Sequence, residues 1–402
     1  MSMERTADVL IIGAGIAGLT AAMRLKQANI CDLLVLDARE RIGGRVATTM
    51  FRGVELSTGP MYVHGDVNTP VAHLVKQLKL PVHPPDYSQF GANSFVARLA
   101  SSGEVVTSQF AAVVGKHDEA LHKLSTLSIP PSDVSIAAED TEYVLSQGDG
   151  YRSNGVRMRW RAKHVLVTVP PVLLYPLNPL SSVGVDAHIS FDPPLPMKKQ
   201  EALRLVTLSD YCRVLVAYQE PFWDPVDVIL RIDDLQPANT KWEYVDSHPA
   251  RKFSYWQNLG NFTSGFEAGG VLSTVLSGYW AEICSKMTME ELAVEVGDAL
   301  ASMYPEKAAM AKKPLEVKFI SWKEDAFSRG AFATALVGFN KPLETDLYSS
   351  LSAGAGQVHF AGDGYRLDYL GSVQGAFISA LDAADKIAES LSANPLSDHN
   401  DF

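Results

Sequence analysis

Cysteine is scarce in this 402-residue chain: Cys31, Cys212 and Cys284 are scattered along it. They share no metal-knuckle spacing and three thiols build no disulfide framework, which fits a reducing compartment. A basic excess is also missing. Asp and Glu outnumber Lys and Arg, 46 to 35, and the net charge is −11. A nucleic-acid backbone or an anionic membrane is therefore not expected as the main partner. The opening, MSMERTADVLIIG, has no apolar secretory region, and its longest apolar run is of strand length. The tail SANPLSDHNDF is polar, with neither an anchor helix nor a peroxisomal tripeptide. A cytoplasmic protein is expected. Repeats, low-complexity tracts and flexible linkers are lacking. So are a nucleophile elbow and any His/Cys cluster, so no metal site is expected.

What is present is apolar material, at 47% of residues, enough for one large or two ordinary cores. DVLIIGAGIAGLTAAMRLKQ reads as strand, tight turn and helix, with Ile16, Leu19 and Met23 on one helical face. DLLVLDARE is a second strand, ending at Asp37. Residues 68–125 read as mostly helical and connecting. AKHVLVTVPP is a buried strand stopped by Pro170 and Pro171. DYCRVLVAYQEPFW and GGVLSTVLSGYW are rich in β-branched and aromatic residues and suggest an antiparallel sheet. Thr288 and Glu291 have capping-box spacing before LAVEVGDALASMY, and PLEVKFISWKE returns to strand.

Gly13, Gly15 and Gly18 spell GxGxxG between a strand and a helix, and an acid, Asp37, closes the next strand. That context marks a dinucleotide site. The first glycine allows the turn, the second lets backbone approach a pyrophosphate, and the third lets helix pack on strand. The helix N-terminus offers free N–H groups to the phosphates, and Asp37 can accept from both ribose hydroxyls. Gly43, Gly44 and Arg45 follow just past the acid. A second glycine pair beside a forked cation suits a long cofactor whose pyrophosphate spans two backbone segments.

GAGIAGLTAA followed by LDARERIGGR resembles the opening of the flavin-dependent amine oxidases. GPMYVHGD resembles that family's segment beside the flavin ring, SWKEDAFSRGAF its tryptophan strand, and FAGDGYRLDYLGSVQGAF its closing motif. The resemblance implies an α/β fold: a Rossmann-like FAD-binding domain interleaved with an α+β substrate domain built on an antiparallel sheet. It divides the chain into FAD-binding segments 1–75, 146–185 (shortened) and 313–402, a substrate or helical part 76–145, and a substrate domain 186–312. It implies cofactor contacts from Ala38, Arg39, Met61, Tyr62 and Trp322. Gly362 and Asp363 would meet the ribityl chain and inner phosphate. Gly371, Ser372 and Val373 open a helix whose N-terminus would face the flavin edge that gains negative charge on reduction. His64 and Trp322 would lie near the ring. Acid is more often Glu in this family where the chain has Asp37 and Asp363.

Three departures stand out. Many members carry a lysine that holds a water near the flavin; the matching position here is Arg213, which keeps the charge but gives up no proton. Lys323 is the candidate substitute. The two aromatic walls of monoamine oxidases match Ala335 and Ser372, and their tethering cysteine matches Ala331, which implies non-covalent FAD. Finally, the stretch from about Ser125 to Gly155 is shorter than in the family.

The resemblance implies hydride transfer from a polyamine or small amine to flavin N5, giving an imine, with dioxygen reoxidising the cofactor to hydrogen peroxide. Two alternatives stay open at this point: an L-amino-acid oxidase that uses Arg213 or Arg329 for the carboxylate, or a degenerate member that serves as a binding protein.

Overall fold

The computed structural model describes residues 3–63, 69–80, 82, 95–107, 158–174, 189–232, 252–261, 263, 265–266, 270–353 and 356–392. Two sheets organise them. The first runs in the order Leu351–Ala353, Gly356–Phe360, Met158–Val167, Met3–Ile12, Leu33–Leu36, and only its first pair is antiparallel. Its strands come from both ends and the middle of the chain. The inner ones read as apolar runs because both faces are covered: Val9, Leu10, Ile11, Leu166 and Val167 are buried. On one face the helices Ile16–Gln27 and Val373–Leu391 pack together through Ala17, Ala21, Ala380 and Ala384, small side chains that let the two backbones approach closely. On the other lie the helices Met197–Arg204 and Lys341–Tyr348 with Leu203, Leu347, Phe360 and Tyr365. Lys199, buried there, donates to the Asp346 and Leu347 carbonyls at the end of the second of these helices.

The second sheet has the order Glu316–Ser321, Tyr211–Tyr218, Gly270–Ser277, Tyr255–Asn258, Val228–Ile232, Phe95–Leu99. All pairs are antiparallel except the last. The strand Phe95–Leu99 and the helix Pro70–Gln77 occupy the region read from sequence as mostly helical. Alternation along Tyr211–Tyr218 sorts the faces. Cys212, Val214 and Val216 enter a core shared with Leu292, Val296 and Leu300 of the helix Met289–Met303. Each such fully buried aliphatic contributes roughly 1.5–3 kcal/mol. That helix begins with the expected box: Glu291 N–H donates to Thr288 Oγ1 at 3.1 Å and Thr288 N–H to the Glu291 carboxylate at 2.9 Å. Leu215 and Ala217 point the other way, toward Phe51, Leu56 and Ile320, as do Tyr211 and Arg213. The cleft opens on this second face.

Candidate active site

The glycine loop is held by Thr168, whose hydroxyl lies 2.9 Å from the Ile12 carbonyl and 3.1 Å from that of Gly13. Gly13 has φ +108°, and a Cβ there would lie 2.6 Å from the Thr168 hydroxyl. A Cβ on Gly18 would lie 1.9 Å from the Gly13 carbonyl, so Gly18 is required for helix packing and does not line the cleft. Gly15 differs. Its Cβ would meet only Gly43 and Gly44 backbone, at 4.0 Å. Protein packing alone does not demand glycine there. Gly43 N–H donates to the Ala14 carbonyl at 2.8 Å, clasping the two glycine segments into one cradle that a side chain on Gly15 would fill.

Asp37 accepts from Ala14 N–H at 2.7 Å and from Arg39 N–H at 2.8 Å. Both oxygens keep lone pairs for further donors. Arg39 reaches Asp325 and the Ser328 hydroxyl, with its guanidinium over the Phe327 ring. Arg45 donates to both Asp363 oxygens, at 2.9 and 2.6 Å, and to the Ala331 carbonyl at 3.1 Å. Asp363 also accepts from Ala333 N–H at 2.9 Å. At the other end, Gly371 has φ +73°, and a Cβ would sit 2.4 Å from the Ala333 carbonyl. Ser372 caps the last helix, accepting from Gly375 N–H at 2.9 Å.

One cavity of about 1200 Å³ joins these parts. Asp37, Ala38 and Arg39 bound one end; Gly13, Gly15, Gly43, Gly44 and Arg45 line the middle; Gly362, Asp363, Gly371, Ser372 and Val373 reach it from the C-terminal segment. Met61, Tyr62, Trp322, Ala331 and Arg213 complete the walls. Trp322 is fixed by its indole N–H, which donates to the Thr58 carbonyl at 2.9 Å. The volume exceeds the roughly 300–1,000 Å³ of an ordinary small-molecule pocket. It suits a dinucleotide with room for a substrate.

Arg213 is buried. Its Nε donates to the Ser273 hydroxyl at 2.5 Å and its Nη1 to the Ser57 carbonyl at 2.9 Å. Burial pulls its pKa down to about 10, which leaves it charged at neutral pH. Around it the Tyr62 and Tyr255 hydroxyls lie 3.0 Å apart, and Gln257 donates to Tyr62 at 2.5 Å. Burial pushes the Tyr211 phenol up to about 12. Lys323 stands outside the cavity, its ammonium 2.5 Å from Asp210; burial draws its pKa down most, but the Asp210 hydrogen bond together with the charges of Asp210, Glu282 and Glu324 raises it overall. Arg329 and Ala335 do not line the cavity. His64 and the shortened stretch lie outside the described residues.

Thr168, Tyr211, Tyr255 and Gln257 carried no motif. Only the two-residue offset of Tyr211 from Arg213 hinted that both share a face.

A glycine cradle, an acid with spare acceptor capacity and a helix N-terminus share one cleft, the layout of a dinucleotide-binding enzyme. The flavin-containing amine oxidoreductase family matches residues 16–133 and 118–388, and the chain belongs to it. The chain is accordingly a FAD-dependent oxidoreductase acting on amines. Polyamine oxidase 5 of Oryza sativa subsp. japonica is 23% identical over 465 residues, covering 96% of this chain and 88% of the relative. Polyamine oxidase 1 of Zea mays is 23% identical, covering 94% and 89%. Among solved structures, a triple mutant of putrescine oxidase superposes with a TM-score of 0.66 at 17% identity, covering 96% of this chain and 100% of that one. Cyclohexylamine oxidase from Brevibacterium oxydans IH-35A gives 0.65 at 17% identity, covering 96% and 99%. These two share the fold. No helix among the described residues is long and apolar enough to cross a membrane.

Proposed function

We propose that the chain oxidises a small amine or polyamine to an imine, with dioxygen as acceptor and hydrogen peroxide as product. The observation that carries this is the continuity of one cavity from Asp37 to the N-terminus of the helix Val373–Leu391. FAD, when bound without a covalent tether, supplies the acceptor for a hydride at N5 and returns the electrons to oxygen.

The chain's own residues hold and orient. Asp37 has acceptor capacity for ribose hydroxyls. The Gly15 cradle and Arg45 meet the phosphates with N–H groups and a fixed positive charge. Asp363 fixes the Arg45 fork. The capped N-terminus at Ser372 presents partial positive charge to the cavity. Trp322, tied to Thr58, walls the cleft against water. Arg213 holds its proton at neutral pH, so it acts by charge and not as a base. Arg213 therefore does not take the proton that a cationic substrate amine must lose before oxidation.

The test is a peroxide assay of the purified, FAD-loaded protein across mono-, di- and polyamines and amino acids. Amine-dependent peroxide release supports the reading. A flavin-loaded protein inert to the whole panel contradicts it.

A further inference from the structure

Away from the cleft, a small cavity lies between the strand Gly356–Phe360, the turn that follows it and the helix Val373–Leu391. Its volume is about 10 Å³, room for one water-sized occupant. The chemistry of the cleft makes no use of it. Two buried donors meet there. The Tyr365 side chain is fully buried, with its ring stacked on Phe360 at a centroid distance of 6.3 Å. Its hydroxyl has no hydrogen-bond partner among the described residues, and neither has Arg366 Nε. Both residues line the cavity. A buried donor left unpaired is costly, so the pair calls for an acceptor.

The wall offers few acceptors of its own. Ser350 Oγ lies 2.8 Å from His359 Nδ1, and the Ser379 hydroxyl is bonded to both the N–H and the carbonyl of Gly362. Asp382 takes Arg366 Nη1 at 2.8 Å, and those two charges cancel. Lys386, at the exposed rim, holds its ammonium over the Tyr348 ring at 4.9 Å and makes no ion pair among the described residues. Burial pulls the His359 pKa down to about 3, so that ring is neutral, and pushes the Tyr365 phenol up, so it keeps its proton. The wall is left with an excess of donors and one positive charge. A water accepts from two donors and brings two protons that need acceptors of their own. A halide ion accepts from every side and supplies the charge that Lys386 lacks.

We propose that this cavity is a chloride site, in which the ion accepts from the Tyr365 hydroxyl and Arg366 Nε–H beside the Lys386 charge. The ion ties the turn that brings Gly362 and Asp363 to the cleft onto the last helix. The claim does not depend on which amine is oxidised.

The experiment follows thermal melting of the FAD-loaded protein as sodium chloride or sodium bromide replaces sodium gluconate at constant ionic strength. Sodium sulfate, whose anion is too large for the cavity, is the control. Both halides should raise the melting temperature by about 2–4 °C along a curve that levels off, and sulfate should not. Tyr365→Phe keeps the ring and removes the donor. In gluconate it should melt no lower than the parent, because an unpaired buried hydroxyl is gone; in chloride it should fall below the parent, with the halide midpoint about tenfold higher. Lys386→Gln, a change at the rim, should raise that midpoint as well. A bromide-soaked crystal should show an anomalous peak in the cavity. Equal melting of the parent in chloride and gluconate overturns the proposal. So do variants that respond to chloride as the parent does, or a bromide soak that leaves only a water in the cavity.

Discussion

Arg45 and Asp363, 318 residues apart in sequence, meet in a two-bond ion pair of 2.9 and 2.6 Å across the cleft. The pair ties the N-terminal glycine loops to the C-terminal motif. Asp363→Asn keeps the shape but removes all of Arg45's partner charge and turns one of the two acceptor oxygens into an NH2 donor. Apoprotein stability should fall by roughly 2–3 kcal/mol, less than a fully sealed pair because Arg45 is one-fifth exposed. Urea denaturation without cofactor measures this. FAD affinity should fall as well, by about tenfold, since the fork is no longer aimed. Unchanged stability and affinity would mean the pair is incidental.

Two glycines five residues or fewer apart should behave in opposite ways. Gly18→Ala drives a methyl into the Gly13 carbonyl, and overpacking of this kind costs about 3 kcal/mol or more. Gly15→Ala has room, so the apoprotein should melt within a degree or so of the parent. Its methyl occupies the cradle, and FAD affinity should drop by more than about tenfold, roughly 1.4 kcal/mol. Thermal melts with and without FAD separate the two. A Gly15→Ala protein that binds FAD normally would show that the cofactor does not lie against this loop.

Acid sensitivity should come from a buried histidine pair. His164 Nδ1 and His359 Nε2, on neighbouring parallel strands, are 3.1 Å apart, and Ser350 Oγ lies 2.8 Å from His359 Nδ1. Burial lowers both pKa values, His359 to about 3, with His164 and Lys386 adding repulsion to His359; for His164, Asp8 works against burial and Lys163 with it. The unfolded chain takes up protons near pH 6.5 and the folded chain does not, so stability is full above that pH and falls as pH drops toward 3. His359 alone should remove about 2 kcal/mol between pH 7 and 5. Urea midpoints at the two pH values test it, with His359→Gln expected to flatten the dependence. Parallel curves for parent and variant would remove the histidines as the cause.

The nucleotide half of the site was legible because its chemistry depends on local spacing. GxGxxG, the acid at Asp37 and the Gly43–Gly44–Arg45 step each act through backbone a few residues away. The capping box at Thr288 and the apolar strands were legible for the same reason. The Arg45–Asp363 bond was not, because in sequence each residue reads as a direct cofactor contact and no pattern links them across the chain. Nor was the strand Phe95–Leu99, which pairs in parallel with Val228–Ile232 more than a hundred residues later. Strand register, invisible in a single sequence, decides that Tyr255 and Gln257 share a face with Arg213. Lys323 reads in sequence as the candidate substitute for the family lysine, yet Asp210 holds it outside the cavity.

The most direct test of the account is to add amine to the FAD-loaded protein without oxygen while watching the visible flavin bands. The account predicts bleaching by at least one amine or amino acid, full return of the bands on admitting air, and one peroxide released per turnover. Protein that takes up no FAD, or that carries it and keeps its bands unchanged with every amine and amino acid tried, would contradict it.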